Sequence, residues 1–283
     1  MQSFATTWKC RDRILDLSRP QIMGIVNVTP DSFSDGGCHN THDAAVAWGK
    51  KLMAEGADIL DIGGESTRPG AADVSVSEEL ERVVPVVRSL VEAGAVVSVD
   101  TSKPEVMRES LAAGAHIIND IRAFSEPGAV EAVAKSGAGL VVMHMQGTPR
   151  TMQAAPHYQN LMREVTDFLL ERERVLIEAG ASREQICWDP GFGFGKTVEQ
   201  NFELLGKTGQ FCAHGRVFLM GLSRKSSIGA ATGVTTAADR IVGSVAGALL
   251  SVEQGAQVVR VHDVRETREA IAVYLAMKVA LES

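Results

Sequence analysis

Cysteine is scarce in this chain: Cys10, Cys38, Cys187 and Cys212 are the only four, widely separated, with no CxxC pair and no nearby set of metal-ligating side chains. That spacing speaks against a disulfide framework or a structural zinc site and fits ordinary reduced thiols. Long apolar runs are missing too. No stretch nears the roughly 18 consecutive apolar residues that a membrane span needs, so no membrane association is expected. The N-terminus, MQSFATTWKCRDR, lacks a basic region followed by an apolar core, so a cytoplasmic rather than a secreted location is expected. There is no surplus of positive charge: the formal net charge is −7. A phosphate backbone is bound by clustered cations, so a nucleic-acid partner is disfavoured, while a local pocket for a small anion is not.

What is present is a chain of 283 residues, 45% of them apolar, with no change of composition and no linker that would mark a second domain. Eight β-rich apolar runs recur along it: MGIVNV (23–28), DILDIGG (58–64), VVSVDT (96–101), HIINDI (116–121), GLVVMHM (139–145), QICWDP (185–190), RVFLMGLS (216–223) and QVVRVHDV (257–264). Their hydrophobicity is continuous rather than alternating, as in parallel strands covered on both faces. Segments of helical period separate them, and several end in Gly-Ala just before the next strand, the mark of a helix C-cap. Eight strand–helix units predict a parallel α/β fold. A doubly wound open sheet is the competitor, but no GxGxxG follows the first strand. The expected architecture is therefore a (β/α)8 TIM barrel spanning 21–283 in one domain, with residues 1–20 as an extension closing the barrel bottom. The stretches 29–42 and 65–76, rich in Gly, Pro, Ser, Asp and Thr, are expected to be loops at the active face.

In such barrels catalytic groups come from the C-terminal ends of the strands. Here nearly every strand ends in something polar: Asn27; the GGESTRPG segment; Asp100; Asn119 and Asp120; His144; Asp189; Ser223, Arg224 and Lys225; Arg260 and His262. Each has a plain structural reading. Asn27 can cap a turn, Asp100 the helix beginning near Pro104, and Asp189 the turn after its strand. Arg224 and Lys225 can be solvated surface cations, and His144 is best read as a core histidine. The structural reading would have to hold at every strand end at once, and burying so many polar groups without partners is costly. One polar pocket explains them together. Arg260 and His262, two apart on the last strand, lie on one side of the barrel wall beside Asn27, where this fold commonly binds phosphate. Arg68 can fold over the same place, since a guanidinium grips phosphate through paired hydrogen bonds. Opposite that cationic rim, Asp100, Asn119 and Asp189 suit a flat heterocycle rich in N–H donors. Lys225 adds a donor, and Phe194 and Met143 add apolar walls.

These residues lie in motifs that resemble the dihydropteroate synthase family of pterin-binding enzymes, the sulfonamide target of folate biosynthesis. The resemblance runs through MGIVNVTPDSFSDGG, EGADILDIGGESTRPGA, SVDTSKPEV, IINDI, VVMHMQGTPRTMQ, WDPGFGFGKT, GLSRKSSIG and RVHDV, in order over about residues 20–265. It implies a transferase that joins 4-aminobenzoate to (7,8-dihydropterin-6-yl)methyl diphosphate in an SN1-like reaction. Dihydropteroate and diphosphate would be released with Mg2+ as cofactor, and the enzyme would be a homodimer. It implies that Asn27 is linked to the metal and that Asp100, Asn119, Asp189 and Lys225 bind the pterin. Thr67 and Arg68 would lie near the diphosphate and aminobenzoate, Arg260 and His262 would grip the diphosphate, and Ser223, Phe33 and Pro69 would form the aminobenzoate pocket. Asp31 would help close the site over a pterin-methyl cation. The residues nominated for catalysis are thus Asp31, Arg68, Lys225, Arg260 and His262. No general base is nominated, because a neutral arylamine is already nucleophilic. One departure is visible: after SRKS the chain has Ser227, where many relatives carry a bulkier apolar residue, which puts local packing in question. The rival reading is a methyltetrahydrofolate:corrinoid methyltransferase barrel, which shares the pterin site. A catalytically silent pterin-binding barrel is a third.

Overall fold

The computed structural model describes residues 4–29, 38–65, 73–147, 152 and 156–282. Two short strands, β1 (Thr7–Cys10) and β2 (Arg13–Asp16), come first and form an antiparallel hairpin. The eight apolar runs then appear as β3 (Gln21–Asn27), β4 (Ile59–Gly63), β5 (Val97–Asp100), β6 (Ile117–Asp120), β7 (Gly139–Met143), β8 (Ile186–Asp189), β9 (Val217–Met220) and β10 (Val258–Val261). They pair in parallel and in sequence order, and β10 returns to β3 to close the barrel. This is the expected (β/α)8 architecture.

The helices fall between the strands: α1 (Cys38–Ala54), α2 (Val76–Glu92), α3 (Pro104–Ala112), α4 (Ala129–Val133), α5 (Leu161–Glu178), α6 (Val198–Gly206), α7 (Thr208–Cys212), α8 (Ser226–Thr232), α9 (Ile241–Glu253) and α10 (Val264–Glu282). Local chemistry sets their ends. Ser75 and Glu78 form a reciprocal capping box at the start of α2, and Thr197 and Gln200 do so at α6. At the far end of α3, Ala113 is the C-cap and Gly114 takes φ +107, the left-handed turn the Gly-Ala pattern predicts. Two boundaries differ from expectation. Helix α1 already begins at Cys38, so the loop expected over 29–42 is shorter; and β9 stops at Met220, which leaves Ser223 beyond the strand and Lys225 at the N-cap of α8. No described helix is long and apolar enough to cross a membrane.

The barrel interior has an apolar floor. Met23, Ile59, Ile117, Val141, Cys187, Val217, Leu219 and Val258, from seven of the strands, pack into one buried cluster with Trp8, Cys10 and Leu17 of the hairpin region. Trp8 is fully buried and its indole Nε1 donates to the Gln185 carbonyl at 2.8 Å. Cys10 and the Trp8 ring lie so close to Gly139 that a β-carbon there would come within 2.7 Å of sulfur and 3.0 Å of the ring. The hairpin turn is tied down by Arg11, whose backbone N donates to Gly137 O and whose guanidinium donates to the Leu111 and Ala115 carbonyls. Truncating an aromatic side chain so enclosed leaves a cavity as well as losing transfer energy. Trp8→Ala should therefore lower the unfolding free energy by about 3–5 kcal/mol in urea denaturation; a loss under about 1 kcal/mol would mean that Trp8 does not plug the barrel.

Candidate active site

Above the floor the strand ends turn polar. The register places Asn27, Gly63, Asp100 and Asn119 side by side across β3 to β6. Gly63 keeps the row open: a β-carbon there would meet Asp100 Cβ at 3.6 Å and Asn27 Oδ1 at 3.9 Å. Two residues deeper on β4 lies Asp61, fully buried. Its Oδ2 accepts from Asn119 Nδ2 at 3.1 Å and from Arg260 Nε at 2.6 Å. The same guanidinium donates through Nη2 to Asp100 Oδ2 at 2.8 Å. Arg260 thus reaches past β3 to bind carboxylates on β4 and β5.

This corrects the expected separation of charges. The sequence puts Arg260 on a cationic rim opposite the acids; the structure has it among them. Asp100 does not cap α3 either, since the N-cap of that helix is Lys103 and makes no side-chain cap. The cluster perturbs its own members. Burial pushes the Asp100 carboxyl up to about 7, Arg260 pulls against that, and Asp61 adds to it. Burial also opposes the charge on Arg260, but Asp61 and Asp100 hold its pKa above the ordinary guanidinium range.

On the other side of the mouth, Asp189 ends β8 with Oδ1 accepting from Gly191 N at 2.7 Å. Gly221, just past β9, lies between the two halves: a β-carbon there would be 3.7 Å from Asp189 Oδ2 and 3.8 Å from Arg260 Cβ. Lys225 Nζ donates to the Phe192 carbonyl and sits 4.5 Å above the centre of the Phe194 ring. Burial lowers the Lys225 pKa to about 8; Asp189 and Asp100 oppose that and Arg260 reinforces it. Burial raises the Asp189 carboxyl, against the pull of Lys225. Phe194 and Met143 pack with Ile121 and Met152 in one small apolar cluster.

Ser223 and His262 form a third group, with Oγ and Nδ1 3.0 Å apart and the His262 backbone N donating to Ser223 Oγ at 3.2 Å. Between Ser223 and Lys225 the chain turns outward at Arg224, which has φ +60 and is ion-paired to Asp263 rather than solvated. Ser227 is buried and accepts from Asn201 Nδ2 at 3.0 Å, while Asn201 Oδ1 accepts from Gly193 N at 2.6 Å. The hydroxyl that departs from the family pattern thus joins a hydrogen-bond chain to the β8–α6 loop. His144 is buried, edge-on to Phe168, with Nδ1 3.0 Å from Lys196 Nζ.

Sequence reasoning missed Asp61 and Lys196. Asp61 interrupts the otherwise apolar run DILDIGG at an inward position, and that was the available signal. Asp31, Phe33, Thr67, Arg68 and Pro69 lie outside the described residues. Among the described residues no group of three or more His, Cys, Asp or Glu side chains could hold a metal ion.

A sequence model of pterin-binding enzymes matches residues 23–262. The chain is also 52% identical over 270 residues to dihydropteroate synthase of Escherichia coli K12, covering 95% of both proteins. The chain belongs to the dihydropteroate synthase family. Solved structures of the family agree. The Xanthomonas albilineans synthase with 4-aminobenzoic acid superposes with a TM-score of 0.91 at 51% identity, covering 97% of this chain and 98% of that one. Its complex with 7,8-dihydropteroate superposes at 0.86 and 45% identity, covering 97% and 99%.

The geometry makes Asp61 a test of the charge cluster. Removing one partner of a buried ion pair typically costs about 3–5 kcal/mol, and Asp100 still faces Arg260 when Asp61 is gone. Asp61→Ala should therefore destabilise the fold by about 3 kcal/mol in urea unfolding; wild-type stability would show that the pair is not desolvated.

Proposed function

We propose that the chain is a transferase that condenses 4-aminobenzoate with (7,8-dihydropterin-6-yl)methyl diphosphate, giving 7,8-dihydropteroate and diphosphate in folate biosynthesis. The observation that carries this reading is the meeting of Asp100, Asn119, Asp189, Lys225 and Arg260 at one barrel mouth, in a chain whose relatives at about half identity are synthases of this kind. Those relatives favour the synthase over the corrinoid methyltransferase.

The residues divide the work as their surroundings dictate. Asp100, Asn119 and Asp189 meet the N–H and ring-nitrogen edge of the pterin, with Asp189 Oδ2 facing the gap that Gly221 leaves. Lys225 donates to the ring, and Phe194 and Met143 flank it. The bond from the methylene carbon to the diphosphate oxygen breaks with its electron pair leaving on oxygen. Positive charge spreads over the pterin and is favoured by Asp100 and Asp189. The arylamine lone pair then forms the new C–N bond and its proton is released to solvent. His262 and Arg68 neutralise the departing diphosphate, and Arg260 adds the donors that Asp61 and Asp100 leave it. Ser223, Thr67, Phe33 and Pro69 complete the aminobenzoate side, and Asp31 closes over the cation.

Mg2+ fits this site in one way. Asn27 offers a half-buried amide oxygen at the end of β3 and among the described residues no carboxylate cage surrounds it, so the ion would be held mainly by water and diphosphate oxygens. Its chemistry there is neutralisation of charge on the leaving group.

The enzyme acts on small molecules and is placed in the cytoplasm, where Cys10, Cys187 and Cys212 stay reduced. A second copy of the chain covers α9 and α10. These helices pack on each other, and α9 carries no charged residue before Glu253. They leave Val242 (82% exposed), Leu250, Val273, Met277 and Leu281 (77% exposed) in solvent. Exposed apolar side chains grouped on two packed helices mark an interaction surface, and a two-fold dimer pairs it with itself. Sedimentation at micromolar concentration should show a dimer, and a monomer would rule this face out as its interface.

Lys225→Ala should abolish most release of diphosphate while leaving the circular dichroism spectrum unchanged, and Arg260→Ala should do the same with some loss of stability. Near-normal turnover in either refutes the site. Because the Lys225 ammonium persists only below about pH 8, kcat/KM for the pterin substrate should fall as pH rises through that value. Lys225→Arg should move that limb to higher pH.

A further inference from the structure

The loop joining β8 to α6, Pro190 to Thr197, alternates glycine with large buried side chains. Gly191, Gly193 and Gly195 have φ of +69, +82 and +62, while Phe192, Phe194 and Lys196 point into the protein. At Gly191 the requirement is absolute: a β-carbon would lie 1.8 Å from the His144 carbonyl oxygen. Wound this way, the loop turns its carbonyls inward, and side chains take them up. Lys225 binds Phe192 O, and Tyr158 Oη donates to Gly195 O at 2.8 Å. Lys196 Nζ donates to Gly191 O at 3.0 Å and to Phe194 O at 2.9 Å.

Lys196 is only 2% exposed and makes no ion pair within hydrogen-bonding distance among the described residues. Its third acceptor is His144 Nδ1, 3.0 Å away. An ammonium has three protons, and the three nearest acceptors are these; the His144 carbonyl, at 3.5 Å, is a longer fourth. In that arrangement His144 Nδ1 is bare and its proton is on Nε2.

We propose that Lys196, seated on His144, is a positioning residue for the pterin side of the site: it fixes the loop whose Phe192 carbonyl and Phe194 ring hold Lys225. This rests on the assignment of Lys225 to the pterin. Lys196 does not reach the pocket; it acts through Gly191 O and Phe194 O, the latter on the residue whose ring lies under Lys225. The alkyl stem of Lys225 also lies against this loop, since a β-carbon on Gly193 would be 2.8 Å from Lys225 Cδ.

The electrical surroundings agree. Burial brings the Lys196 pKa down to about 7, with Asp189 on β8 opposing and Lys225 at the start of α8 assisting. Burial and Lys196 together hold His144, at the end of β7, down at about 2, so it stays neutral. Tyr158, the other titratable group on the loop, is raised by burial and by Glu164. Lys196 loses its third donor when it deprotonates, so the loop is held most firmly by the charged form.

The test separates positioning from bulk stability. Lys196→Met should raise KM for the pterin diphosphate about 10–100-fold, the range seen when groups that orient a site's ligating side chains are removed. KM for 4-aminobenzoate should stay within about threefold. His144→Gln, which keeps an acceptor for Lys196, should restrain the pterin effect to a few fold. His144→Phe, which keeps the ring but not the acceptor, should reproduce the selective loss if Lys196→Met does not fold. Calorimetric binding of 6-hydroxymethylpterin completes a double-mutant cycle: Lys196→Met should add less than about twofold in the Lys225→Ala background, because both act through one contact. Unchanged pterin KM in folded Lys196→Met or His144→Phe, equal rises in both KM values, or full additivity would each overturn the proposal. If instead Lys225→Ala alone leaves pterin binding intact, it is the assignment of Lys225 that fails.

Discussion

The bond of Arg260 to Asp61 and Asp100 is the constraint on which the barrel mouth depends. A guanidinium near the end of β10, largely withdrawn from water, needs carboxylate partners, and the buried Asp61 on β4 and the mostly buried Asp100 on β5 need a cation. Asn119 is then fixed in turn, because its amide donates to the same Asp61 oxygen. Side chains from four strands hold one another in place through one charge. A buried ion pair contributes little net stability over an apolar equivalent, so three charged residues at the centre of a barrel are better explained by what they position than by what they stabilise.

That arrangement is possible because the opposite end of the barrel is dry. Trp8 and Cys10 pack against Met23, Ile59, Ile117 and Val141, so the floor needs no polar side chain, and the strands can be apolar below and polar above. The gradient is built into each strand's few residues: β4 runs from Ile59 through Asp61 to Gly63, and β8 from Ile186 to Asp189. Glycine at 63 and 221 keeps space between the polar groups, where a β-carbon would sit against Asp100, Asp189 or Arg260.

The fold was legible in the sequence because parallel strands buried on both faces leave continuous apolar runs, and eight of them appear at their expected places. The convergence of Asp100, Asn119, Asp189 and Lys225 was legible because each sits at or just past such a run. What the sequence hid was lateral reach. Read strand by strand, Arg260 belongs with Asn27 and His262, but its side chain is long enough to pass β3 and pair with acids that sequence order assigns to another wall. Asp61 was overlooked for a related reason: it lies inside a strand rather than at its end, and an inward aspartate is intelligible only when its cation is known. Lys196 is separated from His144 by 52 positions, and only the winding of the GFGFGK loop brings them together. The start of α1 at Cys38 was missed because its first turn carries neither apolar periodicity nor an acidic residue.

The state of the carboxylates also bears on the chemistry they can do. Asp61 and Asp100 share a guanidinium, and Asp189 Oδ1 is bound to the Gly191 amide beside Lys225. Burial raises the Asp100 and Asp189 carboxyls, and the cations beside them oppose that rise, because a proton on either oxygen would forfeit a charge-assisted hydrogen bond. Such groups are suited to a reaction that needs a cation tolerated and a ring held in register, and in which the nucleophile, a neutral arylamine, arrives with its lone pair free. An enzyme that had to deprotonate its nucleophile would need a base poised near neutrality with access to the reacting nitrogen. Of the buried bases here, His144 is held neutral with its Nδ1 committed to Lys196, so it has no freedom to serve. Asp100 and Lys196, both near neutrality, are engaged in turn by Arg260 and by the Gly191 and Phe194 carbonyls, so the cluster is built to hold a ring and tolerate a cation, which matches ionisation of a diphosphate ester.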